Sequence, residues 1–211
     1  MSQVLIFGDS IAYGAWDKEG GWVERLKVFT NRKAISSGLE FYCAVYNLAI
    51  DGDYTRTLLK RLESETKQRA DVGQETIFVF AIGKNDAISN KKSVFWTPLE
   101  KFRKNLKRMA MIAKKYSPRV IFIGFTPVDE RKTNPVSWDN NVFYKNESQQ
   151  KYNKAIKSVC KENKIGFIEI FKEFIKTDYK NLLEDGLHPN SKGHEKIFEI
   201  VKDYLIENKI I

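Results

Sequence analysis

A chain of 211 residues with 42% hydrophobic content is long enough to bury a core of its own, and it suits one domain spanning residues 1–211. No apolar run approaches the length of a membrane span, and the two cysteines, Cys43 and Cys160, lack the spacing of a disulfide framework or a zinc site. The net charge of +9 raises nucleic acid as a partner, yet the basic residues are scattered and no nucleic-acid-binding motif is present, so a cytoplasmic protein without nucleic-acid binding or stable membrane insertion is expected.

Taken in chain order, short apolar runs alternate with longer amphipathic segments. Strands are expected at Gln3–Phe7, Phe41–Leu48, Thr76–Ile82, Arg119–Gly124 and Gly166–Ile170. Between and after them, helical periodicity runs over Trp22–Thr30, Tyr54–Arg69, Leu99–Tyr116, Glu147–Glu162 and Ser191–Glu207, with Ser191 where an N-cap is expected. In the most basic of these helices, Phe102, Leu106, Met109, Ala110 and Ala113 share a face. Lys101, Arg103, Lys104, Lys107 and Arg108 fall mostly on other faces, which describes the wet side of a core helix. Such an alternation points to an α/β protein with a five-stranded parallel sheet covered by helices on both faces.

In sheets of this type ligands bind beyond the carboxyl ends of the strands. Gly8-Asp9-Ser10 follows the first run, Asp51-Gly52 the second, and Gly83-Lys84-Asn85-Asp86 the third. A long polar and aromatic segment, Thr126–Tyr144, follows the fourth, and Asp185 and His188 lie beyond the fifth. Acyl transfer needs a nucleophile, a base, a group that orients the base, and donors for the oxyanion. Ser10 can supply the hydroxyl, or it can simply cap a helix. An Asp185 carboxylate can orient the His188 imidazole toward Ser10, although Asp-x-x-His also occurs in ordinary surface loops. Gly52, lacking a Cβ, lets its N–H approach a developing charge or merely makes a turn, and the Asn85 amide can donate two hydrogen bonds or serve a turn. Asp9 and Asp86 are expected to brace the turns around Ser10 and Asn85. His194 is expected to be structural or exposed. Trp96, Trp138, Phe143 and Tyr144 are candidates to line a substrate pocket.

The order of these blocks resembles that of the SGNH hydrolases, also called GDSL-type esterases and lipases. "GDSIAYG" matches the first block, Gly52 in "NLAIDGDYT" the second, "GKND" the third and "DGLHPN" the last, so the resemblance runs from residue 8 to residue 194. It implies a flavodoxin-like three-layer α/β/α fold. It also implies a serine hydrolase that cleaves carboxylic esters of small or short-chain acyl groups through an acyl-enzyme on Ser10. Its triad is Ser10, His188 and Asp185, and its oxyanion hole is Ser10 N–H, Gly52 N–H and Asn85. A small-molecule ester is the implied partner, and no metal or organic cofactor is required. Carbohydrate O-deacetylase and lysophospholipase or thioesterase activities are alternatives within the family. A basic binding module that keeps the blocks as scaffold is a rival of another class, which the joint presence of Ser10, Asn85, Asp185 and His188 argues against. Two positions depart from the pattern: Ala49, where a glycine is frequent, and Lys84, where a small residue is frequent. Lys84 is expected to point to solvent.

Overall fold

The computed structural model describes residues 1–70 and 73–211. In chain order the elements are β1 (Ser2–Gly8), α1 (Ser10–Tyr13), α2 (Gly21–Ser36), β2 (Cys43–Asn47), α3 (Thr55–Lys67), β3 (Glu75–Ala81) and α4 (Leu99–Ala113). They continue with β4 (Val120–Ile123), α5 (Glu130–Thr133), α6 (Asn146–Asn163), β5 (Gly166–Ile168), α7 (Phe171–Ile175) and α8 (Ser191–Glu207). The strands form one parallel sheet in the order β2-β1-β3-β4-β5.

The apolar runs are continuous because both faces of the sheet are covered, and successive side chains on a strand go to opposite faces. Leu5, Phe7, Phe78, Phe80 and Phe122 pack with Leu58 and Leu62 of α3, Phe102 and Leu106 of α4, and Tyr152 and Ile156 of α6. Val4, Ile6, Ile77, Val79 and Ile121 pack on the other side with Trp22 and Leu26 of α2 and Val201 and Leu205 of α8. Phe80 is central to the first layer, its ring 4.9 Å from that of Phe122 and 5.7 Å from that of Phe7. Each such fully buried side chain contributes about 1.5–3 kcal/mol relative to exposure. All five expected strands and the five longer helices are present. Helix α2 runs to Ser36, beyond the expected Thr30, because its last turns lie on the surface and carry little apolar periodicity. Helix α8 starts where expected, but its N-cap is Asn190, whose side chain accepts from Gly193 N–H, and Ser191 is the first helical residue.

The chain leaves β1 toward β2 on one side and returns to pair β3 on the other, so the connections diverge at the carboxyl ends of β1 and β3. The crevice opened there is where the functional side chains gather. Gly8 is required at this point by close approach: a Cβ on it would lie 2.3 Å from the Ala12 Cβ and 2.9 Å from the Ala81 carbonyl oxygen.

Candidate active site

Ser10 is the first residue of α1, a helix of one turn set at the end of β1. Asp9 caps it, its Oδ1 accepting from Ile11 N–H at 3.2 Å, so this aspartate braces the turn as its position suggests. The cap leaves Ser10 with its side chain toward the crevice, and His188 Nε2 lies 3.0 Å from Ser10 Oγ. On the other side of the ring, His188 Nδ1 lies 2.7 Å from Asp185 Oδ2. Asp185 Oδ1 accepts from the backbone N–H groups of Leu187 at 2.9 Å and His188 at 2.8 Å. A tight loop therefore brings carboxylate and imidazole into direct contact, three residues apart. Burial acts most strongly on this carboxyl and pushes its pKa up, but the bonds from His188 and the backbone outweigh it and hold Asp185 well below the usual carboxylate range.

The second block makes a turn from Ile50 to Asp53, closed by Asp53 N–H donating to Ile50 O at 3.2 Å and tied to β1 by Ile50 N–H donating to Gly8 O at 3.1 Å. Gly52 sits in it at φ +69°, a left-handed conformation that a glycine adopts without strain. The turn is fixed by these bonds without a glycine at Ala49. Asn85 lies just beyond β3, with its amide held at both ends. Its Nδ2 donates to Asp53 O at 2.9 Å, and its Oδ1 accepts from Tyr144 Oη at 2.7 Å. Asp53 is itself fixed by Arg61, whose Nη2 donates to its Oδ2 at 2.6 Å. Among the described residues the N–H groups of Ser10 and Gly52 have no protein acceptor.

Ser10, Gly52, Asn85, Asp185 and His188 all line one cleft of about 540 Å³, together with Trp16, Trp138 and Tyr144. The chemistry such a constellation can perform is attack by a hydroxyl on a carbonyl with N–H donors facing the developing oxyanion. A family model described as GDSL-like lipase/acylhydrolase matches residues 4–201. The chain belongs to this family. Among curated proteins, this member of the GDSL-like lipases and acylhydrolases is 27% identical to an isoamyl acetate-hydrolyzing esterase of Saccharomyces cerevisiae, over 95% of this chain and 86% of that one. It is 28% identical to the human isoamyl acetate-hydrolyzing esterase 1 homolog, over 99% of this chain and 82% of the other. Among solved structures, a lipase/acylhydrolase of Enterococcus faecalis superposes with a TM-score of 0.73 at 25% identity, covering 97% of this chain and 95% of that one. This GDSL-family protein is a carboxylic ester hydrolase with a three-layer α/β fold.

The GDSL-family site differs from three of the sequence expectations. Lys84 does not face solvent; it is 3% exposed, and its Nζ donates to Thr126 O at 3.1 Å and Thr126 Oγ1 at 2.5 Å. It borders a cavity of about 30 Å³, shared with Asp9, that has room for water beneath the turn carrying Ser10. Burial pushes the Asp9 carboxyl up and the Lys84 ammonium down, each opposed by the charge of the other. Asp86 does not brace its own turn; it accepts from Thr55 N–H at 2.9 Å and Thr55 Oγ1 at 2.7 Å, pinning the start of α3 to the third block. Phe143 is not among the residues lining the cleft. Its backbone bridges Ser89, and the Lys145 ammonium lies 5.6 Å from its ring centre.

Trp138 and Tyr144 do line the cleft, Trp138 with its ring centroid 6.4 Å from that of His188. Trp96 stacks on Tyr54 instead, with centroids 6.0 Å apart. The Thr126–Tyr144 segment is packed, not loose: Val128, Val136, Val142 and Tyr144 form a small apolar cluster with Leu187, and Asp129 N–H donates to Gly186 O at 2.8 Å. It thus braces the loop that carries Asp185 and His188. Trp16 was not foreseen by sequence reasoning, because nothing in its local pattern links it to Asp185. Among the described residues no three His, Cys, Asp or Glu side chains gather to hold a metal, and no helix is long and apolar enough to cross a membrane.

His194 is buried with 0% exposure; Trp22 N–H donates to its Nδ1 at 3.3 Å and its Nε2 lies 3.4 Å from Ala15 O. Both bonds suit the neutral ring with the proton on Nε2. Burial lowers its pKa to about 4. An unfolded histidine titrates near ~6.5, so between pH 6.5 and 4 the unfolded chain takes up a proton that the folded one refuses. The contribution is complete above pH 6.5 and is lost as the pH falls through 4, with a total of about 3 kcal/mol. Denaturant titrations of the parent and His194→Gln across this range should therefore show a parent-minus-variant difference that shrinks on acidification. A difference independent of pH would contradict the buried neutral state.

Proposed function

We propose that this ester hydrolase works through an acyl-enzyme on Ser10, with His188 as base and acid and Asp185 as the group that orients it. The observation that carries the reading is the unbroken contact from Ser10 Oγ through both ring nitrogens of His188 to Asp185 Oδ2, at 3.0 and 2.7 Å. Ser10 Oγ attacks the ester carbonyl as His188 Nε2 takes its proton. The oxyanion is met by Ser10 N–H, Gly52 N–H and the free N–H of Asn85 Nδ2, and His188 then protonates the leaving alcohol. Water, deprotonated by the same ring, attacks the acyl carbonyl, and Ser10 departs with the proton returned from His188. The substrate in this reading is an ester of a small acyl group, in keeping with relatives named for isoamyl acetate hydrolysis.

The leaving oxygen must sit beside His188 Nε2, and the alcohol part lies in the cleft that Trp16 and Trp138 also line. One domain over residues 1–211 and a cytoplasmic setting belong to the same reading. They are supported by the single sheet that the longer helices pack against, and by two buried free thiols, Cys43 and Cys160.

A serine-directed fluorophosphonate is expected to add once, at Ser10, as read by intact mass and peptide mapping, and Ser10→Ala should neither label nor hydrolyse p-nitrophenyl acetate. Equal labelling or turnover by Ser10→Ala would remove Ser10 from the reaction.

A further inference from the structure

Trp16 combines three features that core packing does not account for. It is 65% exposed, so it contributes little to the core. Its φ is +67°, the left-handed region, which is an outlier conformation for a bulky side chain. And its indole nitrogen lies 3.1 Å from Asp185 Oδ2 and 3.0 Å from His188 Nδ1. The neighbours on either side impose the conformation. Ala15 N–H donates to Ser10 O at 3.0 Å, closing α1, while the Asp17 carboxylate is held by Gly21 N–H and by Arg25 of α2.

The indole is a donor only, so its two neighbours cannot both be satisfied acceptors in every tautomer. If Nδ1 of His188 carried no proton, it could accept from Trp16, but its lone pair would then face the Asp185 carboxylate at 2.7 Å. An ionised Asp185 makes that arrangement repulsive. With the proton on Nδ1, His188 donates to Oδ2 and the indole N–H goes to the same oxygen. Oδ1 already takes two backbone N–H groups, so the carboxylate receives four donors.

We propose that Trp16 is a positioning residue for the acid–base pair, its indole N–H being the fourth hydrogen bond that fixes the Asp185 carboxylate and, through it, the His188 tautomer able to accept the Ser10 proton. The proposal rests on the triad reading above. Trp16 also withdraws charge from Oδ2, which leaves the imidazolium less stabilised than a freer carboxylate would.

The conservative variant Trp16→Phe keeps a ring and removes the N–H. It alters no charge among the groups that face the pair: Asp9 and Lys84 below the cleft, Asp51 and Glu184 at its rim, Tyr144 and Lys132 from the segment after β4, and His194 of α8. Three proteins would be compared with the parent on p-nitrophenyl acetate, each with a thermal melt to establish folding. Trp16→Phe should lose kcat by roughly three- to tenfold, the factor corresponding to one hydrogen bond of ordinary net strength, with KM near parental. The acid limb of its kcat/KM profile should move to higher pH. The rate of fluorophosphonate labelling against pH, which needs no turnover, should move with it. Trp16→Ala should show the same shift, with an added rise in KM for esters of bulky alcohols. An acid limb in Trp16→Phe that coincides with the parent's in both assays overturns the proposal. So does a pattern in which only Trp16→Ala is impaired and only through KM, since Trp16 would then be a wall of the cleft. The third protein, Ser10→Ala, separates the two readings: its retention of activity would reject the triad itself, whereas an inactive Ser10→Ala beside a parental Trp16→Phe would reject the role of Trp16 alone.

Discussion

His188→Ala is expected to lower kcat by about 10²–10⁴-fold, the range for loss of a positioned general base, while His194→Gln leaves kcat within a fewfold of the parent at neutral pH. These are the only two histidines in the chain, and they lie six positions apart at the start of α8 and just before it. Their environments separate them. His188 spans Ser10 Oγ and Asp185 Oδ2 at the cleft, whereas His194 spans Trp22 N–H and Ala15 O in the interior. His194 does touch the segment that follows Ser10, so its replacement can disturb α1. For that reason the comparison is made on stopped-time assays at a temperature where both variants are folded by circular dichroism. Comparable losses in two folded variants would leave no ground for placing the base at His188.

The parts of this site that the sequence made legible are those fixed by short-range chemistry. A hydroxyl directly after a buried strand, a glycine in a turn, and an Asp-x-x-His loop each announce themselves within a few residues, because turn and cap geometry is local. The strands were legible for a related reason: with both faces buried, β1 and β3 read as unbroken apolar runs. What could not be read were contacts that join distant segments. Trp16 meets Asp185 across 169 positions and Tyr144 meets Asn85 across 59, and neither aromatic carries a local mark of its partner. Lys84 was misjudged because a lysine is almost never fully buried unless partners are supplied, and its partner, Thr126, comes from the next strand's loop. Asp86 was misjudged for the same cause, since the N-terminus of α3 that it pins lies 31 positions earlier.

Asn85→Ala should lower kcat by roughly 10²–10³-fold with KM little changed, the signature of a donor that acts on the oxyanion and not on the ground-state substrate. In that role the amide must present nitrogen, not oxygen, to the carbonyl, and its two hydrogen bonds fix it in that sense. Tyr144 Oη donates to Oδ1 at 2.7 Å and Asp53 O takes one of the two Nδ2 protons at 2.9 Å, so a rotated amide would set oxygen against oxygen at Asp53 and waste the tyrosine's proton. Burial pushes the Tyr144 phenol well above its ordinary range, so it stays a donor throughout the working pH range. Tyr144→Phe keeps the packing of a residue that is 5% exposed but frees Oδ1 to rotate, and it should cost about tenfold in kcat, again with KM near parental. If Tyr144 works only by orienting Asn85, the two losses cannot add: once the amide is gone there is nothing left to orient, and Asn85→Ala/Tyr144→Phe should be no slower than Asn85→Ala alone. Multiplicative losses in the double variant would show that Tyr144 touches the reaction by a separate route, and a Tyr144→Phe effect confined to KM would make it a substrate contact in the cleft.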